Sequence, residues 1–188
     1  MKFLLKLKHY QLFTMTWGIG VVLNMVSISN PGVFSRFFPL IVGFFALGTL
    51  GWMWAIVNHL HEKLPVSSPI NVGYFKKVFR VPVFYIIVMA ALLYRQLNTP
   101  NRGTIIPEGL VIFFLVILHL GSLIAIFYGM AIAAKTIKSI EMGKNARFSD
   151  YIGEFFLIWF SIIGYWILQP RINRIMKAEK PEVGVAGS

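Results

Sequence analysis

Cysteine is absent from the sequence, which removes disulfides, thiolate metal sites and thiol nucleophiles together and leaves the redox compartment open. Acidic residues are scarce as well, 7 against 18 Lys and Arg. None of the acids falls inside a long apolar run, so the chain has no paired intramembrane carboxylates, and it has neither HExxH nor Gly-x-Ser-x-Gly. An intramembrane enzyme would need a nucleophile or a metal within reach of a base. The sequence therefore reads as a non-enzyme with no metal or cofactor. His59-Leu60-His61-Glu62 does not alter this, because on a helix the two imidazoles point about 200° apart.

Charge altogether is thin. Of 188 residues, 57% are hydrophobic and 13% charged, too apolar for an ordinary soluble domain and typical of a polytopic membrane protein. The net charge of +11 would suggest nucleic acid in a soluble protein. Here the Lys and Arg flank apolar runs, as the positive-inside bias and anionic lipid head groups require, so the expected partner is the bilayer and not nucleic acid.

The longest apolar run is Gly109–Ala134, without a single charge. At about 1.5 Å per helical residue it can cross a hydrocarbon core of about 30 Å. Along it Gly121, Ala125, Gly129 and Ala133 recur every fourth residue and form a small-residue seam suited to seating another helix. His119 lies about 200° around from Gly121. Read functionally it marks a polar path with Asn24 and Tyr128; read structurally it is a histidine bonded to a neighbouring helix.

The remaining segments fall in place around that run. Residues 1–9, MKFLLKLKH, alternate apolar and basic groups and suit an anionic surface. No small-x-small cleavage site precedes Pro31, so the first apolar run reads as a retained helix, Tyr10 to Ile28, and not as a signal peptide. Asn30-Pro31-Gly32 predicts a turn, making an antiparallel hairpin with segment two from about Phe37 to Val57, where Trp52 and Trp54 suit the interface belt. GYFKKVFR at 73–80 is a basic aromatic patch, and segment three runs from Val81 to about Leu97 with Pro82 in its first turn. After a turn-rich loop at 98–107, Glu108 opens segment four, which continues past Ala134 to a C-cap at Gly143. Ser149 is expected to cap the next helix, with Asp150 and Glu154 in its first turns.

The last apolar run, Phe155 to Leu168, has only about fourteen residues where a perpendicular crossing needs nearer twenty. With the N-terminus inside, four spans put Lys2, Lys6 and Lys8, then Lys63, Lys76, Lys77 and Arg80, then Lys135, Lys138, Lys144 and Arg147 on the cytoplasmic side. A fifth crossing would send Arg171, Arg174, Lys177 and Lys180 outward, against the positive-inside bias. The expected fold is an all-α membrane protein: a bundle of four transmembrane helices plus a C-terminal re-entrant or interfacial helical segment within 154–169. Five transmembrane helices are the alternative. Residues 1–176 form one helical membrane domain and 177–188 a flexible tail.

Three stretches, KHYQLF (8–13), AKTIK (134–138) and above all FSDYIGEFFLIWF…GYWILQPRIN (148–173), resemble a family of uncharacterised small polytopic bacterial membrane proteins. The resemblance spans most of the chain and implies a multi-pass protein of the bacterial cytoplasmic (inner) membrane, and it brings no catalytic residues with it. Relatives tend to carry Pro near the position of Ile162, where a bend would fit, and this chain departs from them there.

Two functions follow as expectations. One is a non-enzymatic subunit or scaffold that assembles as a homo-oligomer or with a membrane partner protein through its small-residue seams. It would present a basic cytoplasmic rim of Lys135, Asp150, Glu154, Arg171, Asn173 and Arg174, in which Glu154 and Arg171 can pair if the last segment returns inside. The other is a small transporter or channel with a polar path near His119, against which stands the small number of intramembrane polar groups.

Overall fold

The computed structural model describes residues 1–29, 31–98 and 108–178, and every regular element among them is helical. Asn30 of the expected turn, residues 99–107 of the expected loop and residues 179–188 of the expected flexible tail lie outside the described residues. A 3-10 turn, Lys2–Leu5, leads into α1 (His9–Phe13), a π-helical turn (Thr14–Gly18) and α2 (Ile19–Ser29). Next come α3 (Pro31–Leu60), a 3-10 turn (His61–Lys63), α4 (Val72–Val78) and α5 (Arg80–Asn98). The chain closes with α6 (Glu108–Met142), α7 (Phe148–Trp159) and α8 (Ser161–Lys177).

Segment two starts earlier than its apolar pattern suggests. Pro31 and Gly32 belong to the first turn of α3, where proline loses no helical hydrogen bond and its fixed φ suits the helix. α3 then runs antiparallel to the first segment. Ile41 faces Gly20, Phe45 packs its ring 4.9 Å from Trp17, Gly48 meets Thr16, and Gly51 meets Leu4. At the Gly48 crossing a Cβ would overlap the Thr16 methyl, and here the first segment widens into its π turn while Thr16 Oγ1 donates to the Leu12 carbonyl at 2.9 Å.

The small-residue seam of α6 is filled from within the chain. A Cβ on Gly129 would come within 2.7 Å of the Phe79 ring, Gly121 faces Val81, and Ala125 and Ala133 are buried. α4 and α5 therefore occupy the seam. α6 ends as expected, with Gly143 at φ 65° and its N–H on the Ile140 carbonyl at 3.3 Å. Ser149 is not the cap of α7. Arg147 holds that position, and the Asp150 carboxylate accepts its backbone N–H at 2.8 Å.

α7 and α8 form a tight helical hairpin. Glu154 and Arg171 would stand about 25 Å apart on one straight helix, yet their side chains meet at 2.7 Å, so the chain reverses between them. The helix breaks at Phe160 (φ −85°, ψ 59°), and the arms cross so closely that a Cβ on Gly164 would sit on the Leu157 carbonyl oxygen. Gly164, lacking a Cβ, is what lets the two arms approach this closely.

The core lies toward one end of the molecule. Leu4, Leu5 and Leu12, the inward face of α3 from Ala46 to Leu60, Phe75, Phe79, Ala133, Ala134, Ile137, Ile158, Tyr165, Leu168 and Ile172 pack into one cluster. The N-terminal turn thus does more than lie on a surface: Leu4 and Leu5 plug that cluster. Trp52 and Trp54 belong to it too. Trp52 is fully buried with its ring edge-on to Tyr165 at 4.9 Å and so does not stand in an interface belt, and the half-buried Trp54 packs on Phe75 and Phe79.

Two stretches, Ile41–Lys63 and Gly109–Met142, are long and apolar enough to cross a membrane. They differ in cover: only 11% of the apolar window of the second is buried, against 47% of the first. A core helix of a soluble protein would be mostly buried, and the described residues leave most of the α6 window uncovered.

Candidate functional site

The C-terminal end of α6, the middle of α7 and the C-terminal half of α8 bring four charged side chains together. Lys138 and Glu141 come from the last turns of α6, Glu154 from α7 and Arg171 from α8. Arg171 makes a two-pronged contact with Glu141, Nε to Oε1 at 2.8 Å and Nη2 to Oε2, and the same Nη2 donates to Glu154 Oε1 at 2.7 Å. Lys138 Nζ approaches that Glu154 oxygen at 3.4 Å. The cluster is neutral as a unit. It holds the hairpin to α6 at one level, with planar guanidinium geometry fixing the distance.

Glu154 is the most enclosed member, its side chain 7% exposed against 25% for Arg171. Burial alone would raise its carboxyl pKa. The hydrogen bond from Arg171, its own backbone, and the charges of Arg171 and Lys138 outweigh burial and hold it below the ordinary carboxylate value.

A second, uncharged junction lies two residues earlier on α8. Gln169 is fully buried; its Oε1 accepts from Trp52 Nε1 at 2.8 Å, and its Nε2 donates to the carbonyls of Leu4 (3.1 Å) and Leu7 (2.8 Å). Asn173, one turn on, donates to the Leu7 carbonyl at 3.2 Å. These two amides satisfy carbonyls that the short N-terminal turn leaves without helical partners. The end of α8 is closed from the 3-10 turn that follows α3: Lys63 Nζ donates to the Ile175 carbonyl at 2.6 Å and to that of Ala178, placing a cation at the negative end of the helix.

Of the expected rim residues, Glu154 and Arg171 are thus joined, and Asn173 belongs instead to the junction with the N-terminal turn. Asp150 is used as a helix cap, Lys135 is half-buried on α6, and Arg174 is exposed on α8. Among the described residues no hydrogen bond joins any two of His119, Asn24 and Tyr128. His119 Nδ1 lies 2.9 Å from Tyr85 Oη, Tyr128 packs edge-on to Tyr74 at 5.7 Å, and Asn24 is exposed on α2.

Sequence reasoning missed Glu141, Lys138, Lys63, Gln169, Trp52 and Tyr85 as members of these junctions. For Gln169 and Asn173 a signal existed, two amides four residues apart and so on one helix face. For Glu141 none did, since an acid near a helix end needs no partner to be explained. Comparison with known family models, curated proteins and solved structures found no match to this chain.

Proposed function

We propose that this chain is a multi-pass protein of the bacterial cytoplasmic membrane that acts as a non-enzymatic subunit or scaffold. Four helical runs, residues 9–29, α3, α5 and α6, span the bilayer. The α7–α8 hairpin enters from the cytoplasmic side and returns, leaving both termini inside. From Glu154 to the Phe160 bend is about 9 Å of helix, less than one leaflet of a core about 30 Å thick, so the bend stays within the leaflet that the hairpin enters. Trp159, Phe160, Ile162 and Ile163 at its tip are exposed, as lipid contact requires. This reading agrees with the family resemblance carried by residues 148–173.

The observation that carries the proposal is the ion pair between Glu154 and Arg171, since it returns the basic end of α8 to the level of the Lys138 end of α6. Basic groups then gather on one side, where Lys2, Lys6, Lys76, Lys77, Arg80, Lys144 and Arg174 face anionic head groups. With the α6 seam occupied by α4 and α5, assembly with a partner uses the remaining exposed apolar faces.

The test uses the absence of native thiols. A cysteine placed at Lys180 should react with a membrane-impermeant maleimide only after cell lysis. Labelling in intact cells would mean a fifth crossing and would overturn the topology.

A further inference from the structure

The half of α6 that precedes Ser122 contributes no fully buried residue, and Ile112, Val116 and Leu120 on it are exposed, as are Val83, Phe84 and Ile87 on α5. Between these two apolar surfaces stands one polar pair, His119 with Tyr85. His119 is eleven residues into α6, about 16 Å along its axis and so near the middle of a core about 30 Å thick. An imidazole exposed at that depth has no water to complete its hydrogen bonds, and lipid tails offer neither donor nor acceptor.

The pair has a definite remainder. If Tyr85 donates to Nδ1, the unused groups are Nε2–H and an acceptor site on Tyr85 Oη; if Nδ1–H donates, they are the Nε2 lone pair and the Tyr85 O–H. The remainder is therefore one donor and one acceptor at the same depth. Two copies inserted in the same sense are related by a dyad along the membrane normal, which brings groups of equal depth face to face. Across such a dyad Nε2 of one His119 can meet Tyr85 Oη of the other copy, and in either tautomer the symmetric bond would complete both sets with no further residue.

We propose that the α5/α6 face carrying Tyr85 and His119 is the interface with a second copy of this chain, each copy supplying a donor and an acceptor to the other. This rests on the membrane reading above.

Single cysteines test it in native membranes. Ile112 and Leu123 lie within about 40° of His119 around α6, while Ile117 and Ile124 lie about 140° or more away. All four are exposed. Under oxidation, Ile112→Cys and Leu123→Cys should give a disulfide dimer of twice the chain mass and Ile117→Cys and Ile124→Cys should not. Adding Tyr85→Phe should reduce the dimer band several-fold. Equal cross-linking on both faces, no dimer, or a band of another mass would overturn the proposal. Alkaline carbonate extraction of the same membranes separates the two claims: a chain that is washed off refutes the membrane reading, and one that stays but does not cross-link refutes only the dimer. Since substitutions can disturb folding, the wild-type chain with a fluorescent label is also counted in vesicles at low protein density. Two-step bleaching supports the dimer and one-step bleaching overturns it.

Discussion

Arg171→Met should invert the pH dependence of hairpin docking. The substitution keeps much of the side-chain length and removes the guanidinium that bridges Glu141 and Glu154. Hydrogen bonds to charged groups contribute about 1.5–3 kcal/mol each, and loss of one partner from a buried pair costs about 3–5 kcal/mol. Arg171 is a quarter exposed and Lys138 remains near Glu154, so a net cost of about 2–3 kcal/mol at neutral pH is expected. In a domain of this size that lowers the unfolding midpoint by about 4–12 °C.

The sign with pH is the sharper test. In the wild type the Glu154 carboxyl is held below its ordinary value, so its contribution is present above that value, near 4.5, and is lost as pH falls through the lower folded value. In the variant, burial is opposed only by Lys138 and the backbone, and the carboxyl shifts upward. Acidification then relieves a buried charge, and the variant gains on the wild type. Thermal unfolding followed by tryptophan fluorescence in nanodiscs, from pH 4 to 8, should show the gap between the two proteins narrowing toward acid. A gap that stays constant over this range would refute the assignment of Glu154 as a carboxylate sustained by Arg171.

Three further substitutions test the packing. Gly164→Ala places a methyl on the Leu157 carbonyl, a backbone atom that cannot swing aside, and should cost about 1–3 kcal/mol and open the hairpin, read as faster hydrogen exchange of residues 155–168. Gln169→Leu should free Trp52 Nε1 and the Leu4 and Leu7 carbonyls together, costing about 2–4 kcal/mol and exposing the N-terminal turn to protease. Lys63→Met removes the cation at the end of α8 and should cost about 1 kcal/mol, seen as increased exchange confined to the last turn of that helix.

What the sequence made legible follows the range of the forces involved. Helix existence and some limits were readable from local patterns: the run through Gly109–Ala134, Pro82 in the first turn of α5, and Gly143 as a C-cap all depend on near neighbours, whereas the starts of α3 and α7 were misplaced. The seam of α6 was readable as a place for close contact, because glycine spacing shows a groove. Its occupant was not, since Phe75 and Phe79 sit in a stretch that reads equally well as a head-group patch. Trp52 misled for a related reason. A tryptophan near the end of an apolar run suits an interface, and only Gln169, more than a hundred residues on, supplies the buried acceptor that lets its N–H enter the core.

The same distinction explains why the last segment was hard to place. Its hydropathy is that of a short span, and no local residue states whether the chain continues or turns back. The turn depends on Gly164 admitting the Leu157 carbonyl and on Glu141, Glu154 and Arg171 converging from three helices. Neither arm of the hairpin can be fixed without the other, nor without the end of α6. Once they meet, α8 is brought back to the end where the first residues of the chain are tucked in, and Gln169 and Asn173 take up the carbonyls of the N-terminal turn. The hairpin and the N-terminus are thus mutual supports. The charged cluster and the Gln169 junction should therefore fail as one unit, with a double variant of Arg171 and Gln169 less destabilised than the sum of its parts.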